Sequence, residues 1–593
     1  MLRHRTTAFV CGCLITASAG CDRGAKAPAP APALAPEQAD ARVRSLADAY
    51  LDGYFQRNPD QVTLYGVPGR RHDALPDNSP DALKAWQAKE DGWLALARQI
   101  DPAAIEAPPL RGTYAIVREA LEASIGLRVC RYELWTVSQM VNGWQVQDGY
   151  TVTIQPVGTD EARTQALARW SRLPRYVDTE IANLRAGLEA GYSAPQGNVR
   201  LVIEQMDTLS ATPTAESPFD SPSVRDKTPE FMTQFDLLVR EQIVPAFTRY
   251  RDFLQKDYLP AARAAVGVSA NPNGAACYDA SVRYHSSLPM PAGEVHAIGL
   301  REVALLDAEM KAIGQRSFDT ADVPTLLQHA RTERRFLFKG PEDLIARSQM
   351  ALAHAKRSLH DWFGLQPKAD VVIERYPKFR EKNGPNEYNP PAEDGSRPAV
   401  FFINAYQAAK KSRVNAESTA FHETVPGHHL QGAIALERKS IHPIGRYLGN
   451  AGYQEGWALY AERLADEMKL FSTDLDRLGM LSSQALRAAR LVVDSGIHTG
   501  GWTRQQAIDF MLAHTAEDPA DVASEVDRYI IYPGQATAYM LGKLEISKAR
   551  EEAKQAMPAK FDIKAFHDRV LEDGAIPVSF LHEKIRAWAA ASR

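Results

Sequence analysis

The sequence predicts a mainly α protein: one large helical domain with a small β-sheet beside a histidine-rich helix. Apolar residues recur at helical spacing through most of a 593-residue chain that is 45% hydrophobic and 24% charged, as a globular domain needs if each helix is to bury one face. The period changes only around residues 370–406, where β-branched and aromatic residues cluster, the mark of strands. Directly afterwards comes Ala420-Phe421-His422-Glu423-Thr424-Val425-Pro426-Gly427-His428-His429-Leu430-Gln431. The formal net charge is -4 with both signs dispersed, so nucleic acid is not an expected partner.

Residues 1–20 read as a signal peptide. Arg3, His4 and Arg5 precede a short apolar core over residues 8–19, too short to span a bilayer. Ser18-Ala19-Gly20-Cys21 resembles a bacterial lipobox, although Ser18 stands where Leu is most usual. It implies cleavage before Cys21 and a lipid on its thiol; ordinary secretion is the alternative. Residues 21–39 include alternating Ala and Pro, which favours an extended tether. The expected place is the cell envelope, facing the periplasm, with membrane contact only through the lipid. Residues 40–593 form a single domain. Its two cysteines, Cys130 and Cys277, either pair in that oxidising compartment or remain buried thiols.

Helices are expected from residue 37 to Asn58-Pro59, then over 79–97, 113–129 and 162–190. A polar, Pro-rich break covers 210–229, and 231–253 resumes the pattern. Asn271-Pro272-Asn273-Gly274 is a turn, and 278–288 reads as less regular. Residues 291–313 and 341–363 are strong helices that begin at Pro with acidic residues following, as N-termini prefer. Strands over 370–377 and 398–406 flank a Gly/Pro/Asn-rich loop, 383–397. An edge strand there suits an extended substrate backbone, which makes Asn404 and Tyr406 substrate-binding candidates. After the motif the pattern is helical over 452–470, 474–497, 503–513, 519–529, 534–557 and 563–572.

Three histidines and a carboxylate within eight residues point to a zinc site, since neutral imidazole and carboxylate are its usual donors. In a His-Glu-x-x-His helix the second His follows the first at four residues. Here Pro426 holds that position, and His428 and His429 follow at six and seven. Pro426 must bend the helix, and Gly427 permits the bend. The distortion can return His428 to the metal beside His422. His429 is the alternative, on the same face of a straight helix but about 10 Å further along its axis. Glu423 is the general base, placed to take a proton from water at the metal. Glu455, at the head of the next helix and flanked by Gly452 and Gly456, is the third ligand. Glu462 shares its face and can orient a histidine.

Arg490, Asp494 and His498 recur every four residues on one helix face, a row suited to orienting ligands or clamping a peptide carboxylate. The stretch from Arg528 to Tyr539 is a loop entering a helix. Arg528 and Gln535 are its substrate-binding candidates, and Tyr532 and Tyr539 are, with His498, the candidates to stabilise an oxyanion.

With these stretches assembled, the chain resembles the bacterial domain-of-unknown-function family 885, whose members are often described as lipoproteins. The resemblance rests on residues 422–431, Glu455-Gly-Trp-Ala-Leu-Tyr460, Tyr532-Pro-Gly-Gln535, Asn386-Glu-Tyr-Asn-Pro-Pro391 with Phe402-Ile-Asn404, and Asp494-Ser-Gly-Ile-His498. More distantly, the His-Glu, Gly-His and later Glu plan is similar to thimet oligopeptidase-like and thermostable carboxypeptidase-like zincins. That likeness implies a helical zincin-like fold with a deep cleft, one Zn2+, and hydrolysis of short peptides. Aligning Gly427-His428 with the Gly-His of those enzymes is a further reason to prefer His428. The rival expectations are a zinc hydrolase of a non-protein amide or ester, such as a cell-wall fragment, and a non-catalytic metal-binding lipoprotein.

Overall fold

The structure, a computed structural model, describes residues 36–592 apart from 377–380 and 382–385. The signal segment, Cys21 and nearly all of the tether lie outside the described residues. Among those described, no helix is long and apolar enough to cross a membrane.

The helices fall where the apolar period places them, with local adjustments. Pro80–Ala97 starts at Ser79, whose hydroxyl accepts from the Ala82 amide at 3.3 Å, satisfying one of the free amides of the first turn. The long helix expected over 162–190 is two, Asp160–Trp170 and Leu173–Glu189. Pro174 lacks an amide hydrogen and can sit only in the first turn of a new helix. Residues 278–288, expected to be irregular, belong to the regular helix Gly274–Ser286. A final helix, Val578–Ala591, was not anticipated.

The buried side chains sort into two hydrophobic cores. Core A draws on residues 43–121, 338–470 and 546–589. Core B draws on residues 130–336 and 475–541, with Val414 and Leu459 added. The chain therefore crosses between them repeatedly. Cys130 and Cys277, both in core B, are joined as a disulfide, which resolves their state in favour of pairing.

The sheet has three strands, not two: β1 (Val371–Arg375), β2 (Glu387–Asn389) and β3 (Ala399–Ile403), in the order β1-β3-β2. β1 runs parallel to β3 and β2 antiparallel, with Tyr388 opposite Phe401. β3 is central and nearly all buried, hence its unbroken apolar run. β2 is three residues inside the polar loop, too short to show a period; it exists because β3 offers it a partner. The Asn386 side chain accepts from the Asn404 amide at 2.8 Å, tying β2 to the end of β3.

Candidate metal centre

The motif forms two helices, Ala416–Glu423 and His428–Glu437, with a cis peptide at Val425-Pro426 between them. The turn folds back so tightly that a Cβ on Gly427 would lie 1.9 Å from the His422 carbonyl oxygen, so only glycine fits there. The Trp457 indole donates to the Pro426 carbonyl at 2.9 Å, fastening the break to the Ala451–Glu467 helix. That helix is held in turn by the Ala538–Ala556 helix. A Cβ on Gly456 would meet the Gly542 carbonyl carbon at 2.5 Å, and one on Gly542 would meet the Gly452 oxygen at 1.7 Å. Glycine on both sides lets two backbones touch, which fixes Glu455 and Tyr539 relative to each other.

This scaffold gathers His422, His428 and Glu455, with a ligand atom from each lying within 4.8 Å of the others. Glu455 Oε2 is 3.2 Å from His428 Nε2 and 3.6 Å from His422 Nε2. Tetrahedral zinc with ligands at about 2.0–2.2 Å separates its donors by roughly 3.3–3.5 Å, so the spacing fits. The chemistry of the donors fits too. Glu455 Oε2 is buried with no hydrogen-bond partner among the described residues, a costly state unless a cation compensates it. Burial opposes ionisation of Glu455, but His428 and His422 together hold its carboxyl well below the usual range.

Behind the donors, His422 Nδ1 faces Glu462 Oε1 at 2.7 Å. Glu462 is fully buried and also accepts from Ser418 at 3.0 Å and Gln484 at 3.2 Å. Donation from Nδ1 fixes the tautomer and leaves Nε2 bare toward the centre. His429 is turned elsewhere. The Tyr388 hydroxyl meets its Nδ1 at 3.2 Å, and its Nε2 meets the Ala369 carbonyl at 3.0 Å. It is 1% exposed, and burial pushes its pKa down to about 4, so both nitrogens of a neutral ring are occupied. The break thus turns His428, not His429, toward His422. The Tyr388 ring also stacks 6.5 Å from His428, so β2 forms one wall.

Glu423 stands beside the cluster. Burial, reinforced by Glu455 and Glu387 and opposed by His428 and Arg487, pushes its carboxyl up to about 7. Tyr539 lies on the other side, its ring 6.4 Å from that of His422 and nearly parallel to it. Burial raises its hydroxyl pKa, with Glu455 adding, so it remains a proton donor.

The other candidates have different surroundings. His498 does not face the centre: it is completely buried, Nδ1 accepts from the Val268 amide at 3.0 Å, and Nε2 faces the Tyr529 carbonyl at 3.0 Å. With both nitrogens engaged it cannot serve an oxyanion. Asp494 accepts from the Tyr278 hydroxyl at 2.8 Å and the Gly534 amide at 3.0 Å. The Asp494–His498 motif is therefore a clasp for the Tyr532-Pro533-Gly534 turn. Arg490 bonds Glu525 at 2.7 Å and the Tyr529 hydroxyl at 2.8 Å. Arg528 bonds Glu525 at 2.9 Å and also Gln535. Tyr532 packs edge-on against His285 and lines a cavity of about 580 Å³ between the cores, together with Gln454, Tyr54, Tyr65, Trp86, Tyr132 and Tyr284. A larger cavity of about 890 Å³, between residues 101–122 and 577–583, holds none of the candidates. Asn404 donates its amide to Asn386 and accepts from the Tyr406 amide at 3.0 Å, and the Tyr406 hydroxyl meets Gln407 at 3.1 Å.

Sequence reasoning missed Arg487, Tyr388, Glu387, Gln484 and Glu525. Arg487 was detectable, since it precedes Arg490 by one helical turn. Glu387 and Tyr388 stand in the Asn386–Pro391 motif that carries the family resemblance, but their strand has no period to show that it borders the centre.

Fold and centre together define a large, mainly helical protein with a part-buried His–Glu cluster. A family model described as "Bacterial protein of unknown function (DUF885)" matches residues 59–585, and the chain belongs to that family. No curated protein matches. Among solved structures, the "putative lipoprotein" from Colwellia psychrerythraea superposes with a TM-score of 0.85 at 25% identity, over 93% of this chain and 99% of that one. A "putative lipoprotein of unknown function" from Shewanella oneidensis superposes with a TM-score of 0.68 at 18% identity, over 91% and 99%; this second likeness concerns the fold.

Proposed function

We propose that this protein is a zinc-dependent peptidase of the bacterial envelope, anchored by lipid on Cys21. The observation that carries the reading is the convergence of His422, His428 and Glu455, with Glu423 next to His422 at the end of the same helix. Zinc held by those three residues would supply Lewis acidity, lowering the pKa of water and polarising a carbonyl. Glu423 takes a proton from the attacking water and returns it to the leaving amine, a task suited to a group with a pKa near the working pH. Tyr539 donates to the carbonyl oxygen as it gains charge. Glu462 is a positioning residue that acts through His422. A substrate backbone can extend along the edge of β2, beside Tyr388. The names given to the structural relatives support the envelope. Glu423 argues against a purely structural metal site, which needs no base.

Metal analysis of the mature chain, followed by peptide-library cleavage with wild type and Glu423→Gln, tests the reading. The expected result is about one zinc per chain in both, with cleavage lost by about 10²–10⁴-fold in the variant. Full cleavage by zinc-loaded Glu423→Gln would remove Glu423 as base. Zinc binding with no cleavage of any library member by wild type would remove the peptidase reading.

A further inference from the structure

Three guanidinium groups, those of Arg487, Arg490 and Arg528, gather in the seam beside the centre. Arg487 and Arg490 lie three residues apart on one face of the Asp474–His498 helix. Their guanidinium carbons are 5.9 and 4.3 Å from the centroid of the Tyr539 ring, the ring that stands beside His422. Arg487 bonds only its own helix, donating to the Ser483 carbonyl at 3.3 Å and hydroxyl at 2.6 Å. Among the described residues it has no ion pair, and its buried Nε has no partner. Arg490 is 5% exposed, and its Nη1 is buried without a partner.

Among the described residues no carboxylate pairs directly with Arg487; Glu462, Glu423 and Glu517 act on it only through space. Arg490 and Arg528 share one oxygen, Glu525 Oε2. Glu517, which Arg487 faces, is pushed up to about 7 by burial. A buried guanidinium with unused N–H groups is unfavourable on its own and well matched to a carboxylate, whose two oxygens fit its fork.

We propose that Arg487 and Arg490, which lie against the Tyr539 ring that stands beside His422, form a subsite for a substrate carboxylate, so that the substrates are peptides bearing a carboxylate near the scissile bond. The carboxylate is supplied by a free C-terminus or by an acidic side chain; the shared requirement is the charge. The inference rests on the peptidase reading for the kind of ligand, and its test does not depend on turnover.

Calorimetry on the full mature chain, zinc-loaded and carrying Glu423→Gln, would compare tetra-alanine with its C-terminal amide and with an amidated peptide containing one Glu. The free acid is expected to bind about 10–100-fold more tightly than the amide. Recovery of affinity by the Glu-containing amide would assign the subsite to a side chain; no recovery would assign it to the C-terminus. Arg487→Met should bring acid and amide to within about twofold while zinc content is kept. If that variant fails to fold, the acid–amide comparison in the parent protein still decides. Equal affinity for all three peptides, or no binding of any of them, overturns the subsite. Equal cleavage of acid and amide by wild type would remove the subsite and leave the peptidase standing. Selective binding without any cleavage would do the reverse.

Discussion

Core A and core B meet the same seam with opposite chemistry. Core A supplies His422, His428, Glu455 and Glu462: Glu455 is held ionised by the two imidazoles, and Glu462 by Arg487 together with His422. Core B supplies Arg487, Arg490 and Arg528, guanidinium groups among tyrosines and one shared glutamate. Tyr539, from the start of the Ala538–Ala556 helix, touches both sets. The contrast separates the centre from its surroundings: one side groups imidazoles with carboxylates, the other groups guanidinium with tyrosines. Changes in core A should therefore alter metal affinity, and changes in core B should alter stability or substrate choice while sparing the metal.

The largest effect that would sharpen this contrast is in core A. Glu462→Gln keeps a hydrogen-bonding side chain but removes the charge that fixes His422. Zinc affinity measured by competition with a chelator should fall about 10–100-fold; an unchanged affinity would detach Glu462 from the centre. Next comes Cys130→Ser, which opens the disulfide within core B. Thermal or denaturant unfolding should show a loss of about 2–5 kcal/mol, with zinc stoichiometry intact. Loss of zinc from the folded variant would break the separation of the two cores.

The smallest effect concerns the place where the cores approach each other. Burial, with Asp60 adding and Arg169 opposing, pushes Asp148 from its ordinary 3.8 up to about 8. The native state then keeps a proton that the unfolded chain releases near pH 4, so stability contributed by this group falls as pH rises from 4 to 8. Asp148→Asn should leave stability unchanged at pH 4 and raise it by about 1–3 kcal/mol at pH 8. A thermal midpoint difference that does not depend on pH would show that Asp148 titrates normally.

Much of this was legible in residue order. The helical class followed from periodicity, and the donors followed from residue types at unusual density. The broken helix followed from Pro426-Gly427, because proline and glycine act through the backbone itself. His498 was misread because its row with Arg490 and Asp494 is a true helix face, but periodicity does not say what the face packs against. It packs on the Val268 amide and the Tyr529 carbonyl. β2 was hidden because three residues have no period of their own.

The sequence by itself determined which groups can carry the chemistry: His422, Glu423, Glu455, a choice between two histidines, and a set of tyrosines and arginines. Local bonding preferences and spacing suffice for that, since they act over a few residues. Tertiary packing was needed to settle which histidine turns inward, which tyrosine stands beside the donors, and which arginine N–H groups are left unpaired. Those outcomes depend on contacts between residues far apart in the chain: Trp457 on Pro426, Gly456 on Gly542, Arg490 on Glu525. Each arises only when the two cores close on one another.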